Sequence, residues 1–212
     1  MIRVLTVTRA ALASLVLITA LAAHAQVAPG LVDPNVAPEK ELAGLPHMTP
    51  ALAAKIVAAR PFDSVLALNR LLTAEGLTAD QLRAFYGRAF IHVNLNTASA
   101  EEILLIPGAG KRMAHEFEEY RPWRSFAQFE KEIGKYVDAK EVARLKQYTF
   151  IPLDLNTATE AEFMTIPGVG KRMAHEFEEY RPWKSQAQFQ KEIGKYVNEK
   201  EVARLWRYLV IR

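Results

Sequence analysis

An internal repeat constrains this chain more than any other feature. Residues 94–151 and 154–211 are near copies. The stretch GKRMAHEFEEYRPW at 110–123 recurs unchanged at 170–183, and KEIGKYV at 131–137 recurs at 191–197. A segment repeated at an offset of about 60 residues folds as one supersecondary unit that buries its apolar face against itself and its neighbours. A divergent copy precedes the two. Asp33-Pro34-Asn35 aligns with Asp154-Leu155-Asn156, Leu45-Pro46 with Ile166-Pro167, Arg60-Pro61-Phe62 with Arg121-Pro122-Trp123, and Thr78-x-x-Gln81 with Asp138-x-x-Glu141. The chain therefore divides into residues 1–25, a short segment 26–32, a degenerate repeat 33–91, and two intact repeats, 92–151 and 152–212.

Within a repeat the pattern is helical throughout. Ser99-x-x-Glu102 and Thr159-x-x-Glu162 read as capping boxes opening a short first helix that ends before Ile106-Pro107. A second helix starts near Lys111, with Met113, Phe117 and Tyr120 on one apolar stripe. Pro122 ends it, since the residue before proline is biased away from helix. Ser125-x-x-Gln128 opens a third helix, with Phe126, Phe129 and Ile133 on one face, and Asp138-x-x-Glu141 opens a fourth, carrying Val142, Leu145 and Tyr148. No alternating strand pattern is visible. The expected fold is all-α, and Phe117, Tyr120, Trp123, Phe126 and Phe129 are assigned to its core rather than to a base-stacking platform.

Residues 1–25 carry the marks of an export signal. Arg3 and Arg9 precede an apolar run at 11–22, and Ala23-His24-Ala25 offers small residues for cleavage after Ala25. The run is short for a membrane span, and nothing later is apolar for long enough. The expected location is periplasmic or secreted, with no stable membrane span after cleavage. The chain has 27 Lys+Arg, 24 Asp+Glu and no cysteine. Loss of Arg3 and Arg9 leaves 25 basic against 24 acidic residues, a net +1. Stability without disulfides falls to packing, and any affinity for polyanions falls to local geometry rather than a broad positive field.

The chemically distinctive segment joins the first two helices: Ile106-Pro107-Gly108-Ala109-Gly110-Lys111-Arg112-Met113-Ala114, and its copy Ile166-Pro167-Gly168-Val169-Gly170-Lys171-Arg172-Met173-Ala174. A G-x-G turn permits positive φ and leaves the backbone uncovered. The next helix then presents unpaired N–H groups and the positive end of its dipole. Flanked by a basic pair, this makes an anion pocket suited to phosphate and not to base edges. The motif resembles the helix-hairpin-helix family. The lead-ins Asn94-Leu95-Asn96-Thr97-Ala98-Ser99 and Asp154-Leu155-Asn156-Thr157-Ala158-Thr159 resemble its ComEA group of exported DNA-uptake proteins. The resemblance implies three tandem helix-hairpin-helix modules after a signal peptide, and sequence-independent binding of double-stranded DNA through Gly108, Ala109, Gly110, Lys111, Arg112, Gly168, Val169, Gly170, Lys171 and Arg172. It also implies a place in natural transformation, beside DNA-uptake or secretion machinery.

Two departures limit that likeness. The second glycine hairpin expected of such a module is replaced by Tyr136-Val137-Asp138 and Tyr196-Val197-Asn198. In the degenerate repeat, His47 and Thr49 stand at the glycine positions and no basic pair follows. Glu116, Glu118 and Glu119, with Glu176, Glu178 and Glu179, are read as a solvated helix face, and His115 and His175 as surface residues. His47 and His92 have no ligand partner at useful spacing. No catalytic constellation, metal motif or cofactor motif is visible, so no enzyme activity and no cofactor are expected. The alternative is a periplasmic protein-interaction or scaffold module that keeps the fold and uses the hairpins as packing turns.

Overall fold

The computed structural model describes residues 30–212, and the expected signal with its cleavage site lies outside them. The described residues are mostly helical, with twelve helices and only short strands. Helices α1 (Glu39–Ala43), α2 (Pro50–Ala59), α3 (Val65–Ala74) and α4 (Ala79–Tyr86) come first. Strand β1 (Val93–Asn94) precedes α5 (Ala100–Leu104), α6 (Lys111–Glu119), α7 (Phe126–Ile133), α8 (Ala139–Lys146) and β2 (Thr149–Phe150). Strand β3 (Leu153–Asp154) then leads to α9 (Glu160–Phe163), α10 (Lys171–Glu179), α11 (Gln186–Ile193), α12 (Glu199–Trp206) and β4 (Leu209–Val210).

The strands had no counterpart in the sequence reading, because two-residue segments carry no period. They close each four-helix unit on itself. β1 pairs parallel with β2, Val93 opposite Thr149, and β3 with β4, Leu153 opposite Leu209. A single bridge, Val32 to Ala89, does the same for the first unit.

Helix starts follow the capping signals. Ser99 and Thr159 form reciprocal capping boxes with Glu102 and Glu162, as Thr78 does with Gln81. Ser125 caps α7 by accepting from the Gln128 amide, while the Gln128 side chain accepts from the Arg124 amide instead of closing a box. Asp138 and Asn198 cap α8 and α12.

A side-chain clamp fixes the long link after the second helix, and it is the same in all three units. The Asn96 amide donates to the Trp123 carbonyl at 2.9 Å and accepts from the Trp123 N–H at 2.6 Å. Arg121 donates to the Leu95 and Ala98 carbonyls. Asn156 and Arg181 repeat this on Trp183, Leu155 and Ala158. Asn35 and Arg60 do so on Phe62, Pro34 and Ala37. The degenerate repeat has lost its hairpin glycines and kept this scaffold whole. The X-Pro bond after each clamp arginine is cis.

Units one and two share one continuous apolar core, from Ala37 to Ile151, whereas unit three has its own, joined by Phe150. Buried polar contacts tie the outer units together. Asp33 accepts from the Tyr208 hydroxyl at 3.3 Å and lies 3.6 Å from His92 Nδ1, and Arg207 donates to the His92 carbonyl. Burial pushes the Asp33 carboxyl up. The nearby His92 imidazole, the Asn35 amide and the charge of Arg204 outweigh it, so its pKa falls below its ordinary value of 3.8. Burial raises the Tyr208 hydroxyl. His92 thus has a structural place at a three-unit junction. Among the described residues no helix is long and apolar enough to cross a membrane.

Candidate nucleic-acid interface

The two G-x-G turns have the same backbone. Gly108 and Gly168 sit at φ +80°, a region that disfavours a side chain, and each lets the chain turn from the first helix into the second. Gly110 and Gly170 are extended N-caps with no side-chain cap, and no atom lies within 4 Å of where either would carry a Cβ.

The main-chain amides divide into used and unused. Ala109 N–H donates to the Ile106 carbonyl at 2.9 Å, and Val169 N–H to Ile166 at 3.0 Å. Both residues are buried, so they shape the turn and their amides are not free for a ligand. The next intrahelical bond is Ala114 N–H to Gly110, matched by Ala174 to Gly170. Among the described residues, the amides of Gly110, Lys111, Arg112 and Met113, and of 170–173, have no protein acceptor. These are the orphan donors of a helix start, where the dipole also favours an anion. Lys111, Arg112, Lys171 and Arg172 are exposed and enter no ion pair among the described residues. All ten residues singled out in the sequence therefore come together at two hairpins, with Ala109 and Val169 in supporting positions.

The degenerate hairpin shows the opposite arrangement. His47 takes the positive-φ place at +61°, Pro50 removes one amide at the helix start, and the Thr49 hydroxyl accepts from the Leu52 amide at 3.2 Å. Its helix start is filled by its own residues, so it offers no comparable anion pocket.

Three features escaped the sequence reading. The first concerns the acid run. Glu118 and Glu119 are exposed, but Glu116 and Glu176 are buried. They lie near enough to Tyr136 and Tyr196 to help raise the pKa of those hydroxyls, after the larger effect of Tyr120 and Tyr180. The second concerns the tyrosines. Tyr120 is half-buried, and its hydroxyl meets that of Tyr136 at 2.9 Å, as Tyr180 meets Tyr196 at 3.0 Å. The third is that the two hairpins have different neighbours. Arg144 and Arg204 lie beneath Gly108 and Gly168, each held by two bonds to Glu141 or Glu201. The Arg144 side chain is 32% exposed, whereas Arg204 is 1% exposed; Arg204 feels the charge of Asp33 of the first unit, and Val36 of that unit also lies against Gly168. Hairpin two instead faces a groove of about 520 Å³ shared with Asn69, Leu82, Arg83 and Tyr86 of unit one. No sequence period encodes contacts between units this far apart.

Among the described residues no group of His, Asp and Glu is placed to hold a metal ion. The chain matches no family model, no curated protein and no solved structure.

Proposed function

We propose that this is an exported, non-enzymatic helix-hairpin-helix protein that grips double-stranded DNA by its phosphate backbone, without sequence preference, at hairpins 108–112 and 168–172. The observation that carries the reading is the row of acceptor-free amides at Gly110–Met113 and 170–173, each under two unpaired cations. Phosphate oxygens satisfy such amides, and no side chain projects from the turn to read a base. One hairpin engages one or two phosphates and binds feebly. Two on a single folded chain gain through effective concentration. The ComEA-like lead-in and the export signal support a role in DNA uptake, in the periplasm or outside the cell, beside uptake or secretion machinery.

The test is fluorescence anisotropy of the chain with a short labelled duplex across a salt series. Binding is weak and indifferent to sequence, and log K falls with log salt by about 0.9 per phosphate neutralised. Changing Lys111, Arg112, Lys171 and Arg172 together to Ala abolishes it. Binding that survives this quadruple change refutes the assignment. A second reading, a protein-docking module, is favoured by one observation, the seating of Val36 against Gly168, in which a hairpin serves as a packing surface. A partner retained after nuclease treatment of a periplasmic extract, with no affinity for duplex DNA, would favour it.

A further inference from the structure

We propose that Tyr136 and Tyr196, on the turn between the third and fourth helices, are positioning residues that hold the hairpin cations Arg112 and Arg172 ready for phosphate. The proposal rests on the phosphate reading above and extends it to a turn that carries no glycine hairpin of its own. The Arg112 guanidinium stands 5.0 Å from the centre of the Tyr136 ring, and Arg172 stands 5.9 Å from Tyr196. A cation at this distance over an aromatic face is attracted by the ring quadrupole.

The rings are themselves fixed. Tyr136 bonds Tyr120 through its hydroxyl, and the Tyr120 ring lies 5.9 Å from buried Trp123. Lys135 covers the other tyrosine at 5.0 Å and is paired with Glu132. The same chain of contacts runs from Tyr196 through Tyr180 to Trp183, with Lys195 and Glu192. An exposed arginine is normally free among many rotamers, and binding must restrict it. Held over a ring tied to the core, Arg112 has already lost part of that freedom, while the exposed guanidinium remains accessible to an oxyanion.

The first unit supplies an internal contrast. Ala51 stands at the position of Arg112, and its corresponding turn, residues 73–77, has no aromatic residue. There the second helix is joined to the turn by a Lys55–Glu75 ion pair at 2.5 Å. The unit with no hairpin cation has no ring to hold one.

The test compares Tyr136→Phe/Tyr196→Phe with Tyr136→Leu/Tyr196→Leu in the full chain. The Phe pair keeps the ring and loses only the hydroxyl contacts. Each ring-cation contact corresponds to about a two- to fivefold change in affinity, so the Leu pair binds a short duplex about tenfold more weakly. The Phe pair stays within about twofold of the parent. The salt slope of the Leu pair is unchanged, because all four cations remain. Nuclear magnetic resonance without DNA supplies a second readout. The Arg112 and Arg172 side-chain signals are ring-shifted in the parent and the Phe pair, and not in the Leu pair. Leu variants that fold and bind like the parent overturn the proposal, as does a Phe pair as weak as the Leu pair. Ring-shifted arginines in a parent that fails to bind duplex DNA overturn the phosphate reading and the positioning role with it. Binding by a parent whose arginines show no ring shift overturns the positioning role alone.

Discussion

The two hairpin glycines are identical in backbone and unequal in surroundings, and alanine substitution separates the two properties. At φ +80° an alanine costs about 1–2 kcal/mol at either site, because its Cβ crowds the carbonyl oxygen. At Gly108 the added Cβ meets only Arg144 Nη2, at 3.1 Å, and that side chain is a third exposed and can swing aside. At Gly168 the Cβ would come 2.9 Å from Val36 Cγ1 and 3.2 Å from Arg204 Nη2, and Arg204 is buried. Forcing an extra methyl into such a contact adds about 1–3 kcal/mol. Gly168→Ala is therefore expected to cost about 2–5 kcal/mol in total, against about 1–2 for Gly108→Ala. Urea denaturation followed by circular dichroism and tryptophan fluorescence measures both. Val36→Ala should remove the Val36 share of the excess, giving a coupling of about 1 kcal/mol between positions 36 and 168. If the two alanine variants lie within about 0.5 kcal/mol of each other, or the cycle is additive, the first unit does not pack on the third hairpin as described.

Three further measurements probe the scaffold and the site. Asn35→Ala, Asn96→Ala and Asn156→Ala each strand the carbonyl and N–H of a buried aromatic residue, so each should cost about 1–3 kcal/mol in urea denaturation. A negligible loss at Asn35 would show the degenerate unit to be loosely held. Asp33 has a lowered folded-state pKa, so its contribution is complete above its unfolded value near 3.8 and is lost as the pH falls through the folded value. The stability gap between the parent and Asp33→Asn should accordingly close as the pH falls below 3.8; a gap that widened over that range would reverse the sign of the argument. Lys171→Ala/Arg172→Ala alone should leave residual duplex binding at hairpin two with a shallower salt slope, read by anisotropy. An unchanged slope would place the third hairpin outside the interface.

The parts of this fold legible in the sequence are those in which one residue type does one local job. Ser99, Thr159 and Asp138 announce helix starts because a short oxygen beside an extended backbone reaches the N3 amide, whatever lies around it. Gly108 and Gly168 announce a turn because few other residues accept φ +80°. Asn96 and Arg121 were visible as repeated letters, but their work was hidden. They act across 23–27 residues on main-chain carbonyls and amides, and no local period records such a contact. Glu116 misled for a related reason. In a charged run on a short helix, periodicity assigns a face, yet this one carboxylate is buried, close enough to Tyr136 from the next helical pair to raise its pKa. The burial of Arg204 was illegible altogether, since Asp33, whose charge it feels, and Val36, which meets Gly168 beside it, come from the far end of the chain.

The degenerate repeat joins these threads. Where its helix start could accept an anion, Pro50 and Thr49 have filled it. The clamp of Asn35 and Arg60 is complete, its core is continuous with unit two, and its first residues reach unit three through Asp33 and Val36. Each of these features serves packing, and none serves a ligand. On the proposed phosphate reading such a unit braces the other two: it forms one wall of the groove at hairpin two and lies against Gly168 of hairpin three. Two weak phosphate grips add in affinity only if their separation is held. Loosening the brace should therefore weaken duplex binding without touching a single residue of either hairpin. Asp33→Ala is the direct trial, and an affinity equal to the parent's would detach the first unit from the binding function.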